Sequence, residues 1–266
     1  MVKFAANLSM LFTEVPFPER FAAAAQSCFK GVEYLFPYAL PKQDIVERLQ
    51  ANELTQVLFN LPAGNWDAGE RGIACHPDRT GEFQEGVGKT IEYAKALDCA
   101  QVNCLAGIAP KNGSVDLCHK TLVDNLRFAA GQLKAAGIRL IAEPINTYDI
   151  PGFFLNRSAQ AIALFDDVGS DNLALQYDIY HMQRMEGELA KTIERLLPRI
   201  GHIQIADNPG RNEPGTGEIN YPYLFNLLDT AGYKGWIGCD YEPSKSTLSS
   251  FVWMRKWDPV VAGNSG

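Results

Sequence analysis

A closed barrel of eight parallel strands, each followed by a helix, is the fold class this sequence predicts, and three observations lead to it. Short apolar runs alternate with longer amphipathic stretches eight times along 266 residues, roughly 33 residues to a unit, as a (β/α)8 TIM barrel requires. No Ser/Gly linker, low-complexity tract or charge block interrupts that rhythm, so one domain is expected over 1–258, with a short C-terminal tail at 259–266. The rival arrangement, a doubly wound open sheet, lacks its signature: no G-x-G-x-x-G follows the first strand, and there is no P-loop.

Taken in order, the strand signals fall at 3–8, 31–36, 54–61, 100–105, 138–143, 173–178, 200–206 and 236–240. The first helix follows Pro16 and Pro18 and runs, rich in alanine, to Cys28; the second covers 42–51. A long loop, 62–77, follows the third strand. Trp66, Arg71 and His76 lie in it and Arg79 just beyond, and the residues leave its role open between a lid and a subunit contact. The next helix carries Phe83, Val87, Ile91, Ala94 and Leu97 along one stripe. Cys118, Leu122, Leu126, Ala129 and Leu133 mark the helix after that, which Gly137 closes as a C′ glycine. The remaining helices are expected at 158–168, 188–197 and 221–231.

In such a barrel the functional residues stand at the C-terminal ends of the strands. Those ends read Asn7, Asn60, Asn103, Glu143, Asp178, Gln204 and Asp240. Pro144 has no N–H to donate, so the fifth strand should stop at Glu143. A carboxylate in that buried position is costly unless it is paired or holds a cation. Glu143, Asp178, Gln204 and Asp240 come from consecutive strands and should converge; parity agrees, with Ala174, Gln176 and Asp178 on one face and His202 with Gln204 on the next.

Three carboxylates and an amide oxygen in one cavity repel one another without a cation, and an all-oxygen set suits Mg²⁺ or Mn²⁺ better than zinc. The competing reading has each acid cap a loop or pair with a rim Arg or Lys. For His181 three roles are open, as a ligand, a donor to substrate or a loop residue packed by Tyr180, and the substrate role is favoured. His202 reads as a barrel-core histidine and His119 as a solvent or interface residue. Arg211, in the Gly/Pro-rich loop 208–217, is placed to clamp a substrate carboxylate in a bidentate fork. A cation flanked by two carboxylates is equipped for proton transfer beside a carbonyl.

Composition excludes other classes. The net charge of −7 opposes a nucleic-acid surface, which needs a basic stripe. The six cysteines, at 28, 75, 99, 104, 118 and 239, form no C-x-x-C pair, so free thiols are expected rather than disulfides or structural zinc. No run approaches the roughly 18 apolar residues of a membrane span, and Asn7, Ser9, Glu14, Pro16 and Pro18 interrupt any signal-peptide core. A soluble, cytoplasmic protein is expected, without nucleic-acid or membrane partners and with a homo-oligomer left open.

Several blocks carry a resemblance. Residues 4–12 (Phe-Ala-Ala-Asn-Leu-Ser-Met-Leu-Phe), 31–37 (Gly-Val-Glu-Tyr-Leu-Phe-Pro) and 58–62 (Leu-Phe-Asn-Leu-Pro) resemble the hydroxypyruvate isomerase family. So do 201–206 (Gly-His-Ile-Gln-Ile-Ala), 217–221 (Gly-Glu-Ile-Asn-Tyr) and 235–239 (Gly-Trp-Ile-Gly-Cys). The likeness spans residues 3–243 and places the chain among xylose-isomerase-like barrels. It implies interconversion of hydroxypyruvate and 2-hydroxy-3-oxopropanoate, or, as in close members, isomerisation of 2-oxo-tetronate. It also implies catalytic acids at Glu143 and position 240, and metal-type positions at Glu143, Asp178, Gln204 and 240.

The sequence departs from the family at 240, where Asp replaces the usual Glu, followed by Glu242 where Lys is usual. Asp is one methylene shorter, which draws its oxygens back by about 1.5 Å. The first expectation is that Asp240 works through a small shift of metal or substrate. Glu242, at the same strand parity, is the alternative acid/base, and weak activity is the last. Two other functions stay in view. Ketose 3-epimerases among the wider relatives use His where this chain has Gln204, and a non-catalytic sugar-acid-binding paralogue would have kept the pocket and lost the base. AP endonuclease activity fits poorly, because four histidines do not supply a multi-zinc set and the acidic balance opposes DNA.

Overall fold

The computed structural model describes residues 2–110 and 113–257; the domain end expected at 258 and the tail expected at 259–266 lie outside the described residues. The strands are β1 (Lys3–Asn7), β2 (Gly31–Glu33), β3 (Thr55–Leu58), β4 (Gln101–Cys104), β5 (Arg139–Ala142), β6 (Leu173–Asp178), β7 (Ile200–Ile205) and β8 (Trp236–Cys239). They form one eight-stranded sheet in the order β3-β2-β1-β8-β7-β6-β5-β4, and every ladder is parallel. Between the end strands the ring closes through a parallel bridge, Asn60 to Asn103. Two backbone bonds flank the bridge, Leu61 N–H to Asn103 O at 2.8 Å and Asn103 N–H to Phe59 O at 3.0 Å.

The helices are α1 (Phe17–Gln26), α2 (Lys42–Ala51), α3 (Thr80–Ala96), α4 (Val115–Ala135), α5 (Ser158–Val168), α6 (Ile179–Met185), α7 (Leu189–Leu196) and α8 (Tyr221–Thr230). Of the residues expected to form the α3 and α4 stripes, Phe83, Val87, Ala94, Leu122 and Leu126 are buried, while Ile91 is half-buried against the core. Side-chain caps fasten several helix starts; Ser114 accepts from Leu117 N–H and Asn220 from Tyr223 N–H. Their apolar faces and the outward strand faces merge into one large core. A second, small cluster of Ala5, Val57, Leu58 and Ile141 stands apart from it. Ala5 and Ile141 share strand parity with Asn7 and Glu143, so this cluster fills the barrel beneath the C-terminal mouth.

Helix α6 is an element that periodicity did not reveal. It starts on the residue after β6, with no loop between, because the Asp178 side chain accepts the His181 N–H at 3.1 Å and caps the turn. The six cysteines, all among the described residues, are thiols outside any disulfide. No helix of the described residues is long and apolar enough to cross a membrane.

Candidate active site

A cavity of about 300 Å³ opens at the C-terminal mouth of the barrel, the size of a small-molecule site. Polar residues from almost every strand end line it, including Asn7, Glu33, Asn60, Glu143, Gln176, His181, Gln204, Arg211 and Asp240. The strands place the acids as the proline and the parity require. β5 ends at Ala142 and β8 at Cys239, so Glu143 and Asp240 stand one residue beyond their ladders, while Asp178 is the last residue of β6. The β6–β7 register sets Asp178 beside Gln204 and Gln176 beside His202.

Glu143, Asp178 and His181 each bring one donor atom within 4.8 Å of the others. Glu143 Oε2 accepts from Asn103 Nδ2 at 3.2 Å. His181 Nε2 stands 3.7 Å from Glu143 Oε1 and 3.8 Å from Asp178 Oδ2. Asp178 is fully buried beside the cavity, and its Oδ2 has no hydrogen-bond partner. A buried anionic oxygen without a partner is costly, and it becomes favourable once a cation faces it. Burial, reinforced by the neighbouring acids, pushes Glu143 well above the usual carboxylate range and Asp178 up to about 7. Oxygen donors at this spacing therefore fit a hard divalent ion.

His181 is a different kind of neighbour. The Asn146 amide is fixed, since its Oδ1 accepts the N–H groups of Tyr148 and Asp149 at 3.0 and 2.8 Å. Its Nδ2 therefore donates, to Asp149 Oδ2 at 3.0 Å and to His181 Nδ1 at 2.7 Å. Burial, with Arg211 and Arg184 nearby, holds His181 well below the usual imidazole range, so the ring is neutral and carries its hydrogen on Nε2. His181 thus faces the two acids and the cavity as a donor, and the orientation of Asn146 disfavours Nε2 as a metal ligand.

Asp240 and Gln204 reach the cavity with their oxygens engaged. Asp240 Oδ1 accepts from Asn7 Nδ2 at 2.7 Å, and its Oδ2 accepts from Arg211 Nη2 at 2.6 Å. Gln204 Oε1 accepts from Gln176 Nε2 at 2.5 Å. Burial raises Asp240 from the usual carboxylate range, against the lowering effect of Arg211. Burial also opposes the Arg211 charge, yet Asp240, Asp178 and Glu143 outweigh it and raise the guanidinium above its ordinary value. Arg211 Nε is buried and has no partner. Glu242 lines the rim of the cavity but is exposed, and its backbone N–H is bonded to Arg211 O at 2.9 Å.

Glu33 is the site residue that sequence reasoning passed over. Fully buried at the end of β2, it accepts from His202 Nε2 at 2.7 Å, Gln204 Nε2 at 2.6 Å and Asn7 Nδ2 at 3.2 Å. His202, expected as a core histidine, is that partner. A Cβ on Gly238 would lie 2.3 Å from Glu33 Oε1, so the glycine of Trp-Ile-Gly-Cys makes room for the carboxylate. An acid inside the apolar run 31–36 was the available signal. His119 is half exposed and pairs with Asp167 at 2.9 Å.

The same architecture recurs in known proteins. A family model described as xylose isomerase-like TIM barrel matches residues 21–257. Hydroxypyruvate isomerase of Escherichia coli K12 is 54% identical over 254 residues, covering 96% of this chain and 98% of that protein. A 2-oxo-tetronate isomerase of Cupriavidus necator is 46% identical over 257 residues, 97% of this chain and 99% of that one. A crystal structure titled AP endonuclease, family 2, from Brucella melitensis superposes with a TM-score of 0.94 at 44% identity, covering 97% and 99%. Fold, cavity and relatives together define a TIM-barrel enzyme of the isomerase class. Within that class the chain belongs to the hydroxypyruvate isomerase family of xylose isomerase-like barrels.

Proposed function

We propose that this enzyme interconverts hydroxypyruvate and 2-hydroxy-3-oxopropanoate by proton transfer between carbons 3 and 2 of the substrate. The observation that carries the reading is the pair of buried carboxylates, Glu143 and Asp240, set into one cavity from strands β5 and β8. One carboxylate removes a proton from carbon 3, leaving an enediolate across carbons 2 and 3. The other returns a proton to carbon 2, and the hydroxyl hydrogen of carbon 3 moves to the oxygen of carbon 2, so atoms and charge balance. Glu143 and Asp240 are the acid/base pair. His181 directs its Nε2–H at a substrate oxygen, and Arg211 holds Asp240.

Glu143 and Asp178 are the residues that would hold a divalent cation, Mg²⁺ or Mn²⁺, with Asp240 and Gln204 adjoining. When bound, the ion supplies positive charge that polarises the carbonyl and offsets the charge of the enediolate. Asp240, buried and doubly hydrogen-bonded, is the better second acid than exposed Glu242.

The test is proton magnetic resonance in D₂O with hydroxypyruvate, using chelated protein and protein supplied with Mg²⁺ or Mn²⁺. Deuterium should enter the reacting carbons as the product forms. Absence of both product and exchange in every metal state would sink the reading.

A second reading is favoured by relatives 46% and 44% identical that carry the name 2-oxo-tetronate isomerase: the same chemistry on an acid one carbon longer. Comparing kcat/KM for the two acids decides between them. A ketose 3-epimerase is less favoured, since the epimerase structures are 22% identical or less and such likeness bears on the fold alone. A non-catalytic sugar-acid-binding paralogue is less favoured because Asp240 is held in the cavity. Endonuclease chemistry also lacks support, because the histidines are dispersed on separate partners: Ile108 O for His76, Asp167 for His119, Asn146 for His181 and Glu33 for His202.

A further inference from the structure

The cavity holds two arginines, Arg71 and Arg211, and their surroundings differ. Arg211 answers the acids of the site: it pairs with Asp240 at 2.6 Å and feels Asp178 and Glu143 as well. Arg71, among the described residues, has no carboxylate partner. Its guanidinium lies on the face of Trp66, 4.0 Å from the ring centroid, and Nη1 donates to Trp66 O at 2.9 Å and to Glu70 O at 2.8 Å. That leaves Nε and Nη2 without a protein acceptor among the described residues.

The loop beneath Arg71 is firmly fastened. Trp66 packs edge-on against Phe36 at 5.1 Å. Glu70 accepts the Asn65 N–H and pairs with Arg79, both at 2.5 Å. Gly72 N–H donates to Ala63 O at 3.0 Å, and Cys75 N–H to Ala106 O at 2.9 Å. At Gly72, with φ +111°, a Cβ would stand 2.3 Å from Leu105 O, so no side chain fits where the loop meets the end of β4. An arginine stacked on such a platform loses little further freedom on binding an anion. In the strand ring the loop leaves β3, which stands opposite β7, the strand whose loop carries Arg211.

We propose that Arg71, held on Trp66, receives the carboxylate of the substrate and makes the site select 2-oxo acids over neutral ketoses. The proposal rests on the isomerase reading above and sharpens it. Arg211 is already paired with Asp240, whereas Arg71 offers a cation with no carboxylate partner among the described residues and with free donors on the far wall. Arg211 then serves the reacting end, through Asp240.

The experiment measures KM, kcat and the equilibrium Kd for hydroxypyruvate in the wild type, R71A and R71K. Dihydroxyacetone, in which a neutral CH₂OH replaces the carboxylate, serves as a competing ligand, and near-ultraviolet circular dichroism checks the fold. Loss of charge-assisted hydrogen bonds predicts a rise in hydroxypyruvate KM and Kd on the order of 10–100-fold in R71A. The inhibition constant of dihydroxyacetone should stay within about threefold, because a neutral group gains no charge-assisted bond there. R71K should recover only part of the loss, since a point charge does not reproduce the stacked fork, and added guanidinium ion should partly restore R71A. If the wild type turns over hydroxypyruvate and both variants keep its KM and Kd within about twofold, the proposal fails while the isomerase reading stands. If the wild type turns over nothing, the reading fails and the Kd values alone decide the carboxylate contact. Failure of the wild type to bind hydroxypyruvate, or an equal loss for dihydroxyacetone, overturns the proposal.

Discussion

Asp240, the proposed partner of Glu143 in proton transfer, has little conformational freedom. Its two oxygens sit on Asn7 Nδ2 and Arg211 Nη2 at 2.7 and 2.6 Å, so the aspartate side chain is held by both partners at the cavity wall. Restoring the longer acid by D240E would push the carboxylate about one C–C bond, ~1.5 Å, into those partners. The expected outcome in steady-state kinetics is a kcat lower by about 10–100-fold with KM little changed. A gain in rate would instead mark the site as a decayed glutamate site. D240N keeps the shape and removes the proton carrier, for a loss of about 10²–10⁴-fold. E242Q alters an exposed rim side chain whose backbone makes the contact to Arg211, and its kcat/KM should stay within about threefold; a D240N-sized loss there would transfer the acid/base role to Glu242.

The element that carries Arg211 is the loop between β7 and α8, and one buried carboxylate organises it. Asp207 Oδ1 accepts the N–H groups of Asn208 and Ile219 at 2.9 and 3.1 Å, and Oδ2 those of Gly215 and Gly217 at 2.8 and 2.9 Å. D207A strips four backbone donors of their acceptor. Thermal or urea unfolding should show a loss of about 2–4 kcal/mol, and kcat should fall as Arg211 loosens its hold on Asp240. A variant unchanged in both would show that the loop holds itself. The loop at 208–217 is legible in its glycines and prolines, and the strand ends in apolar runs that stop at Glu143, Asp178 and Asp240. Those signals are local. Asp207 is not legible that way because its partners are backbone N–H groups of its own loop, set by turn geometry that residue types do not announce. Glu33 is not because its partners come from far along the chain, Gln204 and His202 reaching it from 171 and 169 residues away. The donor role of His181 depends in the same way on the orientation of Asn146, 35 residues earlier, and α6 begins without the loop that would have announced it.

At the scale of the whole molecule, packing these acids inside a barrel links folding to pH and, through the proposed cation site, to divalent ions. Burial, then the neighbouring acids, raises Glu143 well above its ordinary value and Asp178 to about 7, against about 4 for both in an unfolded chain. The sign follows from proton counting. Between those values the folded protein binds more protons than the unfolded one, so stability falls as pH rises. The contribution is fully present below about pH 4 and, for Asp178, is lost as pH rises through about 7. A divalent cation competes with those protons, because carboxylate ligands must be ionised. Chelated protein should therefore melt at a lower temperature at pH 8 than at pH 6. Mg²⁺ or Mn²⁺ at about 100 times its Kd adds ~2.7 kcal/mol, which for a chain of this size raises Tm by about 5–10 °C. That increment should shrink as the pH is lowered toward 5.5. D178N removes one ionised oxygen and should abolish most of the cation-dependent shift while making the chelated protein less sensitive to alkaline pH. A cation increment that is constant across this range, or that survives D178N intact, would place the ion elsewhere than on Glu143 and Asp178.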